Sequence, residues 1–124
     1  MKNSKNLKNW SVYRHILENG TSYIGITSQE PEKCWKNGKG YKGTLFEEII
    51  QEFGWENIEH EILYTGLTEA EARLVRYLAI EQYRTYIDYE DSDGWNCTLG
   101  NLDLLISRCS KKSIDKIFKM FDID

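Results

Sequence analysis

Residues 10–27 read WSVYRHILENGTSYIGIT, and this stretch decides the fold. Its two halves, Trp10 to Ile16 and Ser22 to Ile26, are rich in β-branched and aromatic residues, which favour strands. Between them lies Asn19-Gly20, and Asn-Gly between two such runs is the strongest short-range signal of a β-hairpin. The stretch therefore predicts an antiparallel hairpin.

Two helices are predicted after the hairpin. Pro31 suits the first turn of a short helix that runs through Cys34 and Trp35, because proline tolerates the first helical position. Glycines at 38 and 40 end this helix. Thr44 then caps a second helix that Gly54 stops. Its apolar face consists of Phe46, Ile49, Ile50 and Phe53.

A third strand and a long helix follow. Residues Ile58 to Tyr64 predict a strand because Ile58, His60, Ile62 and Tyr64 alternate with Glu59, Glu61 and Leu63. Thr68-Glu69-Ala70-Glu71 is a capping box that opens a helix to about Tyr86. The acidic stretch from Asp88 to Asp93 predicts a solvated loop that ends at Gly94.

The C-terminal residues carry two apolar stripes at helical spacing. They are Leu102, Leu105, Ile106 and Cys109, then Ile114, Ile117, Phe118 and Phe121. Asn101 and Ser113 are the predicted caps. We therefore predict an α+β fold, in which helices flank a small antiparallel sheet made of the hairpin and a third strand. Residues 1–9 would form a flexible leader and 10–100 the domain. Residues 101–124 would form a helical extension, packed on the domain or at a dimer or partner surface.

The composition of 124 residues, 40% hydrophobic, fits one compact domain. No apolar run approaches the roughly 20 residues that cross a bilayer, and residues 1–8 do not resemble a signal peptide, so we expect a cytoplasmic protein without a membrane partner. Three widely spaced cysteines are expected to be free thiols. A zinc site is disfavoured, since the chain has only two histidines and no Cys-x-x-Cys pair.

Charge is distributed unevenly along the chain. Residues 1–43 carry eight Lys/Arg and three Asp/Glu, a net charge of +5. Residues 44–108 carry four and fourteen, a net charge of −10. Only the first third would attract phosphates, because the middle of the chain repels them. An ordinary solvated surface with uneven charge explains the same numbers.

The hairpin and the loop after it hold the candidate functional residues. Tyr13 and His15 share one face of a strand, and the turn brings Tyr23 near them. Lysines then alternate with aromatic residues, as phosphate and base contacts require. This candidate nucleic-acid surface consists of Lys33, Trp35, Lys36, Lys39, Tyr41 and Lys42. The alternative is that the tyrosines are strand packing and the lysines a solvated face.

The order of these motifs resembles the GIY-YIG nuclease family over roughly residues 10–100. The motifs are Val12-Tyr13-Arg14-His15, Tyr23-Ile24-Gly25-Ile26-Thr27, Pro31 to Trp35, Asn37 to Tyr41, Phe53 to Asn57 with His60 to Leu63, Leu67-Thr68, and Gly94 to Gly100. The resemblance is to small stand-alone members from phages and mobile elements of low-GC bacteria. It implies hydrolysis of phosphodiesters with one Mg²⁺, in which tyrosines assist proton transfer, an arginine steadies the phosphate and a glutamate binds the metal.

Compared residue by residue, the family's two tyrosines match Tyr13 and Tyr23, and its asparagine matches Asn96. His15 joins this predicted site. Cys34 stands at the arginine position and Arg76 at the position of the metal-binding glutamate. A neutral thiol cannot bind a phosphate in a fork, and a cation would repel Mg²⁺. No metal is therefore expected, although an active enzyme would need Mg²⁺.

The first hypothesis is a catalytically degenerate member that acts by binding. Its partner would be DNA or another nucleic acid, or a protein held by the acidic face or the C-terminal helices, with a homodimer as a further arrangement. The phage setting adds a hypothetical role as an inhibitor of host defence. The second hypothesis is an active Mg²⁺-dependent endonuclease. Thiol chemistry at Cys34, with Lys33 lowering its pKa, is a third and weaker idea, because no His/Asp partner is evident.

Overall fold

The computed structural model describes residues 7–123, so most of the predicted leader lies outside the described residues. The chain forms an α+β domain in which helices cover both faces of a three-stranded antiparallel sheet. The strands are β1 (Trp10–Ile16), β2 (Ser22–Thr27) and β3 (Glu59–Leu67). The α-helices are α1 (Pro31–Trp35), α2 (Leu45–Phe53), α3 (Glu69–Tyr83), α4 (Leu102–Ser107) and α5 (Lys111–Met120). Two 3₁₀ segments span Lys36–Tyr41 and Trp55–Asn57.

The predicted hairpin is confirmed, and a short loop of residues 17–21 joins its strands. The Leu17 amide donates to the Thr21 carbonyl at 2.9 Å. Gly20 has a φ of +86°, a conformation that costs glycine little. The Asn19 side chain accepts hydrogen bonds from the amide and the hydroxyl of Thr21. The turn thereby fixes the register of β1 against β2.

The third strand pairs with β1 on the side away from β2, giving the order β2-β1-β3. His15 lies opposite His60 and Tyr13 opposite Ile62. A register shift follows, so that Val12 faces Tyr64. The predicted alternation of β3 is therefore wrong at its end, because a β-bulge sends Tyr64 to the opposite face from His60. There Tyr64 packs against the larger hydrophobic core.

The long helix α3 covers one face of the sheet. Its capping box is confirmed, with Thr68 accepting from the Glu71 amide and Glu71 accepting from the Thr68 amide. The helix ends at Tyr83 instead of near Tyr86, where Arg84 adopts a left-handed conformation with φ +54°. Its buried face packs on the sheet and forms the larger core. The buried members of this core are Val12, Ile24, Leu67, Ala72, Leu74, Val75, Leu78, Ala79, Ile80 and Ile117.

The two C-terminal helices pack against α3 and complete this core, where Ile117 is fully buried. Asn101 caps α4, as predicted. The prediction for α5 is wrong by one turn: Ser110 is the cap and Ser113 lies inside the helix. The Ser113 hydroxyl instead donates to the Glu71 carboxylate at 2.9 Å. Across residues 7–123, no helix combines the length and apolar character needed to span a membrane.

The other face of the sheet is covered by α1, α2 and the two 3₁₀ segments. Thr44 caps α2 and accepts from the Glu47 amide, as predicted. The helix ends at Gly54, whose φ is +84°. Aromatic rings fill most of the space between these segments and the sheet. This second core contains the candidate site.

Candidate functional site

The candidate site is built on one face of the sheet by the strand register. His15 lies between Tyr23 on β2 and His60 on β3. Tyr13 lies opposite Gly25. A Cβ at position 25 would overlap the Tyr13 ring, with its closest contact on the ring hydroxyl and the adjoining carbon. The glycine of the Tyr-Ile-Gly motif is therefore needed because the tyrosine ring lies directly against the β2 backbone.

A chain of hydrogen bonds runs through the site. The two Nδ1 atoms of His60 and His15 are 2.9 Å apart. His15 Nε2 is 2.6 Å from the Tyr41 hydroxyl, which is 3.0 Å from the Tyr13 hydroxyl. We call these four residues the histidine–tyrosine chain. It connects half-buried His60 with Tyr13, which is only 3% exposed.

Burial keeps the interior members of this chain neutral. His15 is fully buried, and desolvation together with the neighbouring His60 lowers its pKa to about 3. Desolvation also raises the pKa of both Tyr13 and Tyr41 well above the usual value, because a phenolate is poorly solvated there. Near neutral pH the imidazole of His15 and the hydroxyls of Tyr13 and Tyr41 are therefore uncharged, and their N–H and O–H protons form the hydrogen bonds.

Aromatic rings form the walls around His15. Phe46 stacks parallel to the imidazole at 5.7 Å between ring centroids, and Trp35 meets it edge-on at 4.8 Å. Trp55 stacks on His60 at 4.1 Å. Such walls exclude water and lower the local dielectric, which strengthens the hydrogen bonds inside.

Arg76 reaches this site from α3. Its side chain is half-buried, and among residues 7–123 its Nε has no hydrogen-bond partner although the atom is shielded from solvent. Desolvation, followed by the nearby charge of Arg73, lowers the pKa of Arg76. Burial raises the pKa of Tyr23, and the positive charge of Arg76 opposes that rise. Arg76 and the two tyrosines Tyr13 and Tyr23 therefore act on one another electrostatically.

Cys34 lies at the margin of the same cluster. Its half-buried side chain packs against the aromatic core. Burial raises the pKa of Tyr13, and its hydrogen bond with Tyr41 partly opposes that rise. Cys34 raises the Tyr13 pKa further. Tyr13, Tyr23 and Cys34 therefore belong to one aromatic cluster, and Arg76, distant in sequence, acts electrostatically on its two tyrosines.

The predicted nucleic-acid surface divides into two parts. The side chains of Lys33, Lys36, Lys39 and Lys42 are exposed. Lys33 lies 3.7 Å from Glu30 in an exposed pair, which contributes little to stability. Trp35 and Tyr41 are only 6% and 7% exposed. Their rings are packed inside the aromatic core and are not exposed for base stacking.

Asn96 has a structural position beside the β2 backbone. Its amide donates to the Ile24 carbonyl at 2.8 Å and accepts from the Ile24 amide at 2.9 Å. The same oxygen accepts from the Thr85 hydroxyl at 2.8 Å. The side chain thus forms the pair of hydrogen bonds that a neighbouring strand would form with Ile24 at the edge of the sheet. Its oxygen and nitrogen are both engaged in these bonds.

Three members of the cluster, His60, Phe46 and Trp55, are not among the residues for which the sequence predicts a functional role. His60 was placed on β3 by its alternation, but its partner depends on which strand pairs with β1 and in what register. Phe46 resembled any apolar residue on a helix face. A polar residue at an inward strand position distinguishes His60 in the sequence. Nothing in the sequence distinguishes Phe46 and Trp55 from other apolar core residues.

The donors at this site do not fit Mg²⁺. They are phenol, imidazole, thiol and guanidinium groups, whereas Mg²⁺ prefers anionic oxygen ligands. The Glu71 carboxylate is bonded to the Thr68 amide and the Ser113 hydroxyl. In the part of the chain that the structure describes, no three His, Cys, Asp or Glu side chains are grouped to hold a metal ion.

Comparisons with protein-family models, with curated proteins and with solved structures gave no match.

Proposed function

We propose that this protein has a GIY-YIG nuclease-like fold whose degenerate site binds a phosphodiester group of nucleic acid without hydrolysing it. The site lies between Tyr13, Tyr23 and Arg76. Cys34 lies at its margin, and the exposed lysines of residues 33–42 belong to the same segment of the chain as Cys34. Phosphate oxygens are the ligand, and Arg76 replaces the metal as the source of positive charge.

The buried Nε of Arg76, which has no hydrogen-bond partner among residues 7–123, is the observation that carries this proposal. A buried donor without an acceptor costs about 1–3 kcal/mol. Here that donor belongs to a cation, and its neighbours Tyr13 and Tyr23 offer hydroxyls but no anion. An oxyanion would satisfy the Nε and neutralise the charge, since charged hydrogen bonds of this kind are the strongest in proteins.

Four exposed lysines support nucleic acid as the source of the phosphate. Lys33, Lys36, Lys39 and Lys42 follow one another along the segment that begins at α1. Phosphate contacts by lysine release counterions and make the binding depend on salt. The net charge of −10 over residues 44–108 limits these contacts to a small surface, so the affinity is expected to be modest.

The test is fluorescence anisotropy of a rhodamine-labelled oligothymidylate at low salt. We expect Arg76→Gln to weaken binding about tenfold or more, because a charged hydrogen bond contributes about 1.5–3 kcal/mol. Arg108→Gln is the matched control: it removes the same charge at an exposed position and should change little. Absence of binding by the unmodified protein at low salt would refute the proposal and leave a protein partner as the better hypothesis.

A second pair of variants tests the lysines. Replacing Lys33, Lys36 and Lys39 together by glutamate should weaken binding and reduce its dependence on salt. The control replaces Lys111, Lys112 and Lys116, which are equally exposed but lie on α5. Equal losses in both triple variants would mean that net charge, and not this segment, governs binding.

Plasmid nicking in Mg²⁺ or Mn²⁺ tests the absence of hydrolysis. We expect no cleavage by the unmodified protein, and a gain of cleavage when Cys34→Arg is combined with Arg76→Glu. Cleavage by the unmodified protein that disappears in Tyr23→Phe would establish the alternative, an active endonuclease.

A further inference from the structure

We infer that His60 controls the hydrogen-bonding direction of the Tyr13 hydroxyl, so that protonation of His60 turns Tyr13 into a donor toward the oxyanion held by Arg76. His15 and Tyr41 transmit this control and act as positioning residues. The inference rests on the proposed function, because it concerns the regulation of the same phosphate site.

The two histidines are in direct contact through their ring nitrogens. Their Nδ1 atoms are 2.9 Å apart, and a hydrogen bond between two ring nitrogens needs one proton between them. Either His15 or His60 therefore carries a proton on Nδ1, but not both. Since a neutral imidazole has one N–H, the choice at Nδ1 also decides whether His15 Nε2 is a donor or an acceptor.

Two arrangements of the chain satisfy every bond. In the inward arrangement, Tyr13 donates to Tyr41, Tyr41 donates to His15 Nε2, and His15 Nδ1 donates to His60. In the outward arrangement every bond is reversed, and the Tyr13 proton is free to point out of the chain. The distances of 2.6 to 3.0 Å suit both arrangements.

Protonation of His60 selects the outward arrangement. A charged His60 has protons on both nitrogens, so its Nδ1 must donate to His15. His15 then has its own proton on Nε2, which Tyr41 accepts, and the Tyr41 hydroxyl donates to Tyr13. The positive charge stays on half-buried His60, so fully buried His15 remains neutral throughout.

The surroundings of His60 leave it as the titrating end of the chain. His15 from β1, Trp35 from α1 and Trp55 from the 3₁₀ turn contact its ring, and Phe46 of α2 covers the far side of His15. Desolvation lowers the His60 pKa, and a hydrogen bond with the Trp55 backbone partly offsets this.

The carboxylates of β3 lie on the other face. Glu59 and Glu61 flank His60, but alternation directs them away from it, and Glu61 lies 3.8 Å from Arg14. At the other end of the chain, Tyr13 packs in the same cluster as Tyr23 and Cys34 and interacts electrostatically with Arg76. An anion held by Arg76 can accept a hydrogen bond from Tyr13 only in the outward arrangement, so a bound anion favours that arrangement.

Linkage gives the sign of the effect. If protonated His60 favours anion binding, a bound anion must raise the His60 pKa to the same extent. Because the His60 pKa is lowered from its ordinary 6.5, affinity should rise mainly as the pH falls below about 6.5 toward about 5. We expect a gain of about tenfold, within the usual range for coupled sites.

The experiment measures oligothymidylate binding across this range, because phosphodiesters keep a constant charge there. Tyr41→Phe cuts the chain between its two ends and should remove most of the pH-dependent gain. Tyr64→Phe removes a hydroxyl from the opposite face of β3 and should retain the gain. A gain of equal size in Tyr41→Phe would overturn the inference, since it would show that the His60 charge acts through space.

A second readout uses the unmodified protein and so does not depend on how the variants fold. Imidazole NMR shifts give the His60 pKa with and without the oligothymidylate. The inference requires a higher His60 pKa in the complex, and an unchanged pKa in a complex that does form would overturn it. Absence of binding at every pH would instead refute the proposed function, and the inference with it.

Discussion

Acidification from about pH 7 to about pH 5 is expected to destabilise this fold through its buried histidine. His15 is fully buried, and desolvation followed by the effect of His60 lowers its pKa to about 3. The ordinary value is 6.5. In this window the unfolded chain binds a proton at His15, whereas the folded protein does not. Where the unfolded state binds more protons, the free energy of unfolding falls as the pH is lowered.

The size of the effect follows from the two pKa values. At about pH 5 an unfolded histidine is roughly thirty times more often protonated than neutral, which corresponds to about 2 kcal/mol of lost stability. The loss begins near the ordinary pKa of 6.5 and continues toward the folded value of about 3. The pKa of His60 is also lowered by desolvation, so it adds a further loss of the same sign. Such a change is a large part of the stability of a small domain.

Urea denaturation at both pH values measures this loss. His15→Phe keeps an aromatic ring against Phe46 and removes the titrating group. The variant should be less stable at neutral pH, because Tyr41 and His60 each lose a partner, but its stability should depend less on pH. Carboxylates contribute to the pH dependence of stability mainly at lower pH. For Glu71, burial raises the pKa, but hydrogen bonds from Thr68 and Ser113 outweigh this and keep the pKa below its usual value.

Two results would refute this reasoning. One is a wild-type free energy of unfolding that stays the same between the two pH values. The other is an imidazole NMR signal of His15 that titrates near its ordinary pKa in the folded protein. The second measurement is available even if the phenylalanine variant does not fold.

Three further predictions concern stability and are measured by the same unfolding experiments. Gly25→Ala should destabilise by about 1–3 kcal/mol, since the new methyl group overlaps a buried tyrosine ring; a smaller loss would mean that the ring moves easily. Asn96→Ala leaves the Ile24 amide and carbonyl without partners at the sheet edge, and we expect a loss of about 2 kcal/mol or more. An unchanged melting temperature would show that water replaces the amide. Ser110→Ala removes the cap of α5 and should cost about 1 kcal/mol, whereas no loss would place the start of the helix elsewhere.

Local sequence signals were sufficient for most elements of the fold. The Asn19-Gly20 turn, the proline at the start of α1 and the capping box at Thr68 each act within a few residues. Their effect does not depend on distant parts of the chain, so hairpin, helix starts and the third strand were predictable. The misplaced cap of α5 is a local error: Ser110 lies three residues before Ser113, and both suit a cap.

The sequence alone also gives a cysteine at 34 and an arginine at 76; that they replace an arginine and a metal-binding glutamate stays a prediction of the resemblance. It did not determine what surrounds them. Whether Arg76 has an acceptor, and whether Trp35 and Tyr41 are buried or exposed, depends on how α1 and α3 pack on opposite faces of the sheet. These contacts join residues that are far apart in the chain.

The histidine–tyrosine chain was decided by tertiary structure. His15 and His60 meet because β3 pairs with β1 in one register, and a shift by one residue would send His60 to the opposite face. A bulge near Tyr64 then reverses the alternation that the sequence predicted for the rest of the strand. Strand pairing and bulges depend on the packing of the whole sheet, so the sequence supplied these residues and only the fold determined that they form one connected site.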